Sequence, residues 1–123
     1  MDKEYVMQVA KTIQEQLVSM TSMPVLMSWG IEKFIATTFK DMPALALKVN
    51  GRLHTGRVII ALNGSDYYEV YLQKEKGAEC VNEEVYFDEL GDVIDRAIES
   101  GTNKEVYDKF CDEELSKLLG QTA

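Results

Sequence analysis

The sequence predicts an α+β fold: an N-terminal helix, a four-stranded antiparallel β-meander and two C-terminal helices, in a single domain over residues 1–123. Three observations predict it. Apolar residues recur at helical spacing before residue 20, at every second position through the middle of the chain, and at helical spacing again from residue 90. Only short polar clusters separate the alternating stretches, so neighbouring strands run antiparallel, because parallel neighbours need long crossovers. A chain of 123 residues hides roughly 60–70% of its unfolded surface in one core without metal or disulfide staples.

Val6, Val9, Ala10, Ile13, Leu17 and Met20 line one side of a helix over about residues 3–20, with Lys11, Gln14 and Glu15 facing away. It ends at Thr21-Ser22-Met23-Pro24, since Pro24 has no amide hydrogen and biases Met23 away from helical geometry. Residues 25–40 fit two patterns. Ile31, Phe34, Ile35, Thr38 and Phe39 form a helical face, whereas Ile31, Ile35, Thr37 and Phe39 form one face of a strand; the expectation favours a short helix. Trp29-Gly30 marks a close backbone approach, with Trp29 as a core or rim anchor.

From residue 44 the period is two. Leu45, Leu47 and Val49 alternate with Ala44, Ala46 and Lys48, and Asn50-Gly51 offers the positive φ angles of a tight hairpin. Gly56 to Leu62 is a β-branched second strand, closed by the turn cluster Asn63-Gly64-Ser65-Asp66. Tyr67 to Gln73 makes the third strand. Lys74-Glu75-Lys76-Gly77 reads as a polar loop before the fourth, Cys80 to Phe87, with Val81, Val85 and Phe87 on one face.

Asp88 is placed to cap a helix whose stripe is Leu90, Val93, Ile94, Ala97 and Ile98, ending at Gly101. Thr102-Asn103-Lys104-Glu105 then fits a capping box for a last helix buried through Val106, Phe110, Cys111, Leu115, Leu118 and Leu119, which stops at Gly120.

The strand faces raise the question of partners. Leu45, Leu47, Val49, Val58, Ile60, Leu62, Tyr68, Val70, Leu72, Val85 and Phe87 line the face expected under the helices. The other face is only partly polar: Ala44, Ala46, Ile59, Ala61, Tyr67, Tyr71 and Tyr86 share it with Lys48, Arg57, Glu69 and Glu84. Such a surface is covered by the N-terminal helix and the 25–40 segment, or it is buried against a partner.

Charge narrows the partner classes. The net charge is −8, distributed as −1 over residues 1–23, +3 over 24–64 and −10 over 65–123. An extended nucleic-acid backbone is not expected as a partner, because that affinity comes from Lys and Arg releasing counterions. Helix, three strands and helix is also the element order of the double-stranded-RNA-binding domain, but Asp88, Glu89 and Asp92 stand where such a domain presents cations. No stretch approaches the roughly 20 apolar residues of a membrane span, and the start Met1-Asp2-Lys3-Glu4 lacks a secretory leader. A cytoplasmic protein is expected, with Cys80 and Cys111 as reduced, buried small hydrophobes.

No catalytic set emerges. His54, the single histidine, is expected as an exposed turn residue, and one His with two distant Cys cannot make a four-ligand zinc site. Calcium-loop and phosphate-loop spacings are absent, so no metal or cofactor is expected. Asp88, Asp92, Asp95 and Glu99 stack along one side of their helix. The expectation is a small acidic, non-enzymatic protein–protein interaction or assembly module that binds a protein partner or itself, without direct nucleic-acid or membrane binding. Its candidate contact residues are Ile59, Tyr67, Tyr71, Tyr86, Lys48, Arg52, Arg57, Asp88, Asp92, Asp95 and Glu99. An acidic inhibitor from a mobile element that imitates nucleic acid is the alternative. A small enzyme using His54, Asp66 or the thiols is a second one.

Overall fold

A computed structural model describes residues 2–101. Helix α1 (Lys3–Met20) opens with the Asp2 carboxylate accepting the Glu4 amide at 3.1 Å, and buries Val6, Ala10, Ile13 and Leu17 at steps of four, three and four. Helix α2 (Met23–Ser28) follows after two extended residues. Pro24 sits in its first turn, where the missing amide hydrogen costs nothing because first-turn amides have no intrahelical acceptor. The chain then reverses at Gly30, in the left-handed region at φ 60, with the Asn50 carbonyl too close for a comfortable side chain.

The next element corrects the expected short helix over 25–40. Residues 33–39 form a strand, β1 (Lys33–Phe39), paired antiparallel with β2 (Met42–Asn50). Phe34 and Ala36 turn toward the core while Ile35 and Phe39 turn to the other face. The connection is a two-residue turn in which Lys40 and Asp41 both take positive φ, 49 and 63. Such turns are announced by Gly or Asn. Here Asp41 accepts the left-handed conformation instead.

Strands β3 (Thr55–Leu62), β4 (Tyr68–Lys74) and β5 (Gly77–Val85) complete a sheet of order β1-β2-β3-β4-β5, antiparallel throughout. It has five strands rather than the four expected. Asn50-Gly51 is also not the tight hairpin expected: the connection is longer, closed by the Gly51 amide on the His54 carbonyl at 3.0 Å. Gly51 is required there because a Cβ would run into the carbonyl of Ile98. At the next turn the Asn63 side chain accepts the Ser65 and Tyr67 amides at 2.9 and 3.1 Å. Glu75 and Lys76 alone join β4 to β5, so the last strand starts three residues earlier than expected, and Phe87 lies beyond it, exposed.

One face of the sheet carries the main core. Leu45, Leu47, Val49, Val58, Ile60, Val70, Leu72 and Val85 pack there with Ala10, Ile13 and Leu17 of α1, Leu26 of α2, and Leu90, Ile94 and Ile98 of α3 (Leu90–Ile98). Trp29 is fully buried among them, and its indole nitrogen donates to the Asp95 carboxylate at 2.9 Å. Helix α3 begins after Glu89 rather than at an Asp88 cap; the Glu89 carboxylate accepts the Tyr86 amide. The last expected helix, from Thr102, lies outside the described residues.

Candidate interaction surface

The sheet's second face is built by strand alternation alone. Ala44, Ala46, Ile59, Ala61 and Tyr71 form a separate buried cluster, with Ile35, Phe39 and Met42 packed around it. None of the three described helices contributes to this cluster. Helix α1 therefore does not cover this face as expected, because its apolar stripe faces Leu45 and Leu47 on the opposite side. Residues 33–39 widen the face by one strand instead of lying over it.

Polar groups are sorted along this face. At one end Lys33, Lys48 and Arg57 stand in register on neighbouring strands. Lys48 pairs with Glu32 at 3.2 Å, an exposed bridge of little energetic weight. A groove of ≈ 600 Å³ at this end is lined by Lys33, Lys48, Arg57, Lys74 and His54. Further along, the Phe39 and Tyr71 rings meet at 4.7 Å, and the Lys40 ammonium lies 4.8 Å from the Tyr71 ring centre. The Tyr71 hydroxyl donates to the Glu69 carboxylate at 2.6 Å. That hydrogen bond, then burial and the nearby carboxylates, hold the Tyr71 phenol well above its ordinary pKa.

His54 is buried rather than an exposed turn residue, because its ring folds over Gly56 and its Nε2 meets the Arg57 carbonyl at 3.2 Å. A ring nitrogen facing a backbone carbonyl donates to it, so Nε2 is engaged within the hairpin. Cys80 is exposed rather than buried, since it lies on the outermost strand beside Tyr71. Partial desolvation of the thiol beside its strand neighbours, then the Glu83 carboxylate, raise its pKa, which opposes thiolate formation. Cys111 lies outside the described residues. Among the described residues no three His, Cys, Asp or Glu side chains group to hold a metal ion, and no helix is long and apolar enough to cross a membrane.

The candidate contact residues fall in three places. Ile59, Tyr71, Lys48 and Arg57 share the second face. Tyr67 and Tyr86 pair with each other at 5.2 Å, outside the strands. The acids of α3 and its end are mostly committed within the chain: Asp92 to Arg96 at 2.8 Å, Asp95 to Trp29, and Glu99 to the Arg52 amide at 2.7 Å. Arg52 returns its Nε to the Glu99 carbonyl at 2.9 Å. Asp88 is exposed beside them.

Sequence reasoning missed the difference between the two sheet edges. Edge strand β1 carries no charge between Lys33 and Lys40, and among the described residues it pairs only with β2. Edge strand β5 carries Glu79, Glu83 and Glu84. Beside β1 runs a groove of ≈ 660 Å³ against α1, lined by Met7, Ala10, Phe34, Ala36 and Leu45. The signal that would have found it is the strand alternation of Ile35, Thr37 and Phe39. Compared with known proteins, the chain matches no family model, no curated protein and no solved structure.

Proposed function

We propose that the protein is a small acidic, non-enzymatic assembly module that associates with a second copy by pairing β1 with β1 antiparallel across a two-fold axis. The observation that supports it is the unguarded edge. A row of free amides and carbonyls on an uncharged strand is a template for another strand, and proteins that avoid such pairing place charge or Pro there. Edge β5 has that protection through Glu79, Glu83 and Glu84, whereas Phe34 to Phe39 of β1 has none.

The sequence of β1 suits pairing with itself. Centred on Ala36, an antiparallel pair sets Phe34 opposite Thr38 and Ile35 opposite Thr37 of the second copy. Lys33 then meets Phe39, and Glu32 meets Lys40, so no like charges stand directly opposite. Met7 and Phe34 along the adjoining groove add apolar surface on the helix side of the new sheet. An imitator of nucleic acid would need a free acidic ridge, and Asp95 and Glu99 are spent on Trp29 and Arg52.

Light scattering coupled to size exclusion, at low and high salt, tests the reading. The expected result is a dimer that persists at high salt, because main-chain hydrogen bonds and apolar contacts hold it. Thr38 is exposed, so Thr38→Lys keeps the fold and sets a charged side chain against Phe34 of the second copy on the pairing edge, giving a monomer. Glu83→Lys on the opposite edge leaves the dimer intact. A wild-type monomer at all concentrations, or a dimer indifferent to Thr38→Lys, refutes the proposal.

A further inference from the structure

We infer that the groove at the cationic end of the sheet binds a compact polyanion carrying two or three linked phosphoryl groups. The inference does not rest on pairing through β1, because it uses side chains near the ends of β1 to β4 and not the free edge. Its first support is register. Lys33 stands directly opposite Lys48, Lys48 opposite Arg57, and Arg57 opposite Gln73, so three cations and an amide form one row across four neighbouring strands. Like charges directly opposite on adjacent strands destabilise a sheet. A chain with 21 acids and only 13 bases nevertheless sets three cations side by side here. An anion lying along the row turns that repulsion into attraction.

Incomplete neutralisation is the second support. Lys48 has Glu32 at 3.2 Å, and Lys74, which lines the same groove, has Glu79. Both bridges are exposed, so they are weak and yield to a competing anion. Lys33 and Arg57 have no carboxylate partner among the described residues. The planar fork of Arg57 suits two phosphoryl oxygens at once, and the lysines add point charges on either side.

The shape and borders of the groove limit what binds. Its ≈ 600 Å³ is lined by Leu53, His54 and Gly56 as well as by the cations. The His54 ring is buried and tied to the Arg57 carbonyl at 3.2 Å, so this part of the wall is preformed. From Lys33 to Arg57 the row crosses two strand spacings, about 10 Å, which a short chain of phosphoryl groups covers. Acids mark the borders: Glu32 beside Lys48, Glu75 at the groove, Glu79 beside Lys74, and Glu69 further along the same face. A nucleic-acid strand or an anionic lipid surface would extend over these carboxylates, whereas a compact anion stays among the cations. No phosphate-loop spacing announces the site, because it uses side chains on strands and not the backbone amides of a glycine-rich loop.

The test is titration calorimetry of the full chain with inorganic triphosphate and with ADP, joined to amide NMR shifts and thermal unfolding. The expected result is saturable binding that weakens as salt rises, lifts Tm and moves the amides of Lys33, Lys48, Arg57 and Gln73. Tighter binding of triphosphate assigns the inorganic ion as the source of the phosphoryl groups, and tighter binding of ADP assigns a nucleotide. Lys33→Gln and Arg57→Gln should each weaken binding about tenfold or more. Without ligand, both variants should keep or raise Tm, because each relieves a repulsive neighbour. Lys11→Gln, which removes an exposed cation of α1, should change binding less than about twofold. The inference is overturned by no saturation of either probe below about 10 mM, or by a loss in Lys11→Gln equal to that in Arg57→Gln. A lower unliganded Tm in both row variants, or tighter binding of a single-stranded oligonucleotide than of either probe, overturns it too. Thr38→Lys should bind the probes as the wild type does, so this inference and the β1 pairing can each fail alone.

Discussion

The two faces of the sheet are built from the same strands by different means. On the first, branched aliphatic side chains meet three helices around Trp29, and one core holds residues from eight elements and the connection after α2. On the second, three alanines leave a shallow floor, bordered by Phe39, Met42 and Tyr71 and ringed by Lys33, Lys48, Arg57 and Glu69. The first face is filled by bulk that determines the fold. The second is low and charged at its rim, and among the described residues no helix packs on it.

Neighbouring isoleucines on β3 give the sharpest way to break the comparison. Ile60 is fully buried in the main core and Ile59 is nearly so in the second cluster. Ile60→Ala is expected to cost about 2–5 kcal/mol through lost transfer energy and a cavity that rigid neighbours cannot close. Ile59→Ala is expected at the lower end of that range, about 2 kcal/mol, because the surrounding floor of alanines and flexible Met42 collapses more easily. Urea unfolding of both variants measures the difference. Equal losses would mean that the second face is packed as rigidly as the first.

A next, smaller effect tests how the helix layer is fastened to the sheet. Gly51→Ala drives a methyl group into the Ile98 carbonyl and is expected to cost about 1–3 kcal/mol as α3 shifts away. Asp95→Ala strands the buried Trp29 indole N–H, for about 1–3 kcal/mol and a shift in tryptophan fluorescence. Neither substitution touches the second cluster. Methyl resonances of Ala44 and Ala61 should therefore stay in place in both variants, and their movement would show that the two faces are coupled.

Periodicity made the first face readable and left the second ambiguous. Every inner-facing residue expected from β2 to β4 packs against the main core, because an alternation of Leu, Val and Ile has one physical reading. Phe87 departs from it because β5 ends at Val85. The strand β1 was hidden because Lys40-Asp41 adopts a turn usually signalled by Gly or Asn, and because Phe34, Ile35, Thr38 and Phe39 also satisfy a helical period. The acids of α3 stack as their spacing requires, but alternation and charge counts carry no information about Trp29 or Arg52, which take up Asp95 and Glu99 from distant parts of the chain. Gly51 was legible as a special position and not for its reason, since close approach to Ile98 is a tertiary fact.

The smallest expected effect lies in alkaline pH, where each face carries one tyrosine held in its neutral form. Burial raises the pKa of Tyr68 on the first face, whereas on the second the hydrogen bond to Glu69, with burial and neighbouring carboxylates, raises that of Tyr71 further. In the unfolded chain both phenols ionise near about pH 10. Below that pH both states hold the proton and neither tyrosine makes stability depend on pH. Above it the unfolded chain releases protons that the native state retains, so stability falls as pH rises toward the native pKa values. Urea midpoints measured from about pH 8 to about pH 11 should decline. Tyr71→Phe should flatten that decline more than Tyr68→Phe, since a carboxylate that accepts the phenol proton opposes ionisation more strongly than burial alone. The opposite ranking would mean that Glu69 turns to solvent and that the rim of the second face is looser than its buried floor.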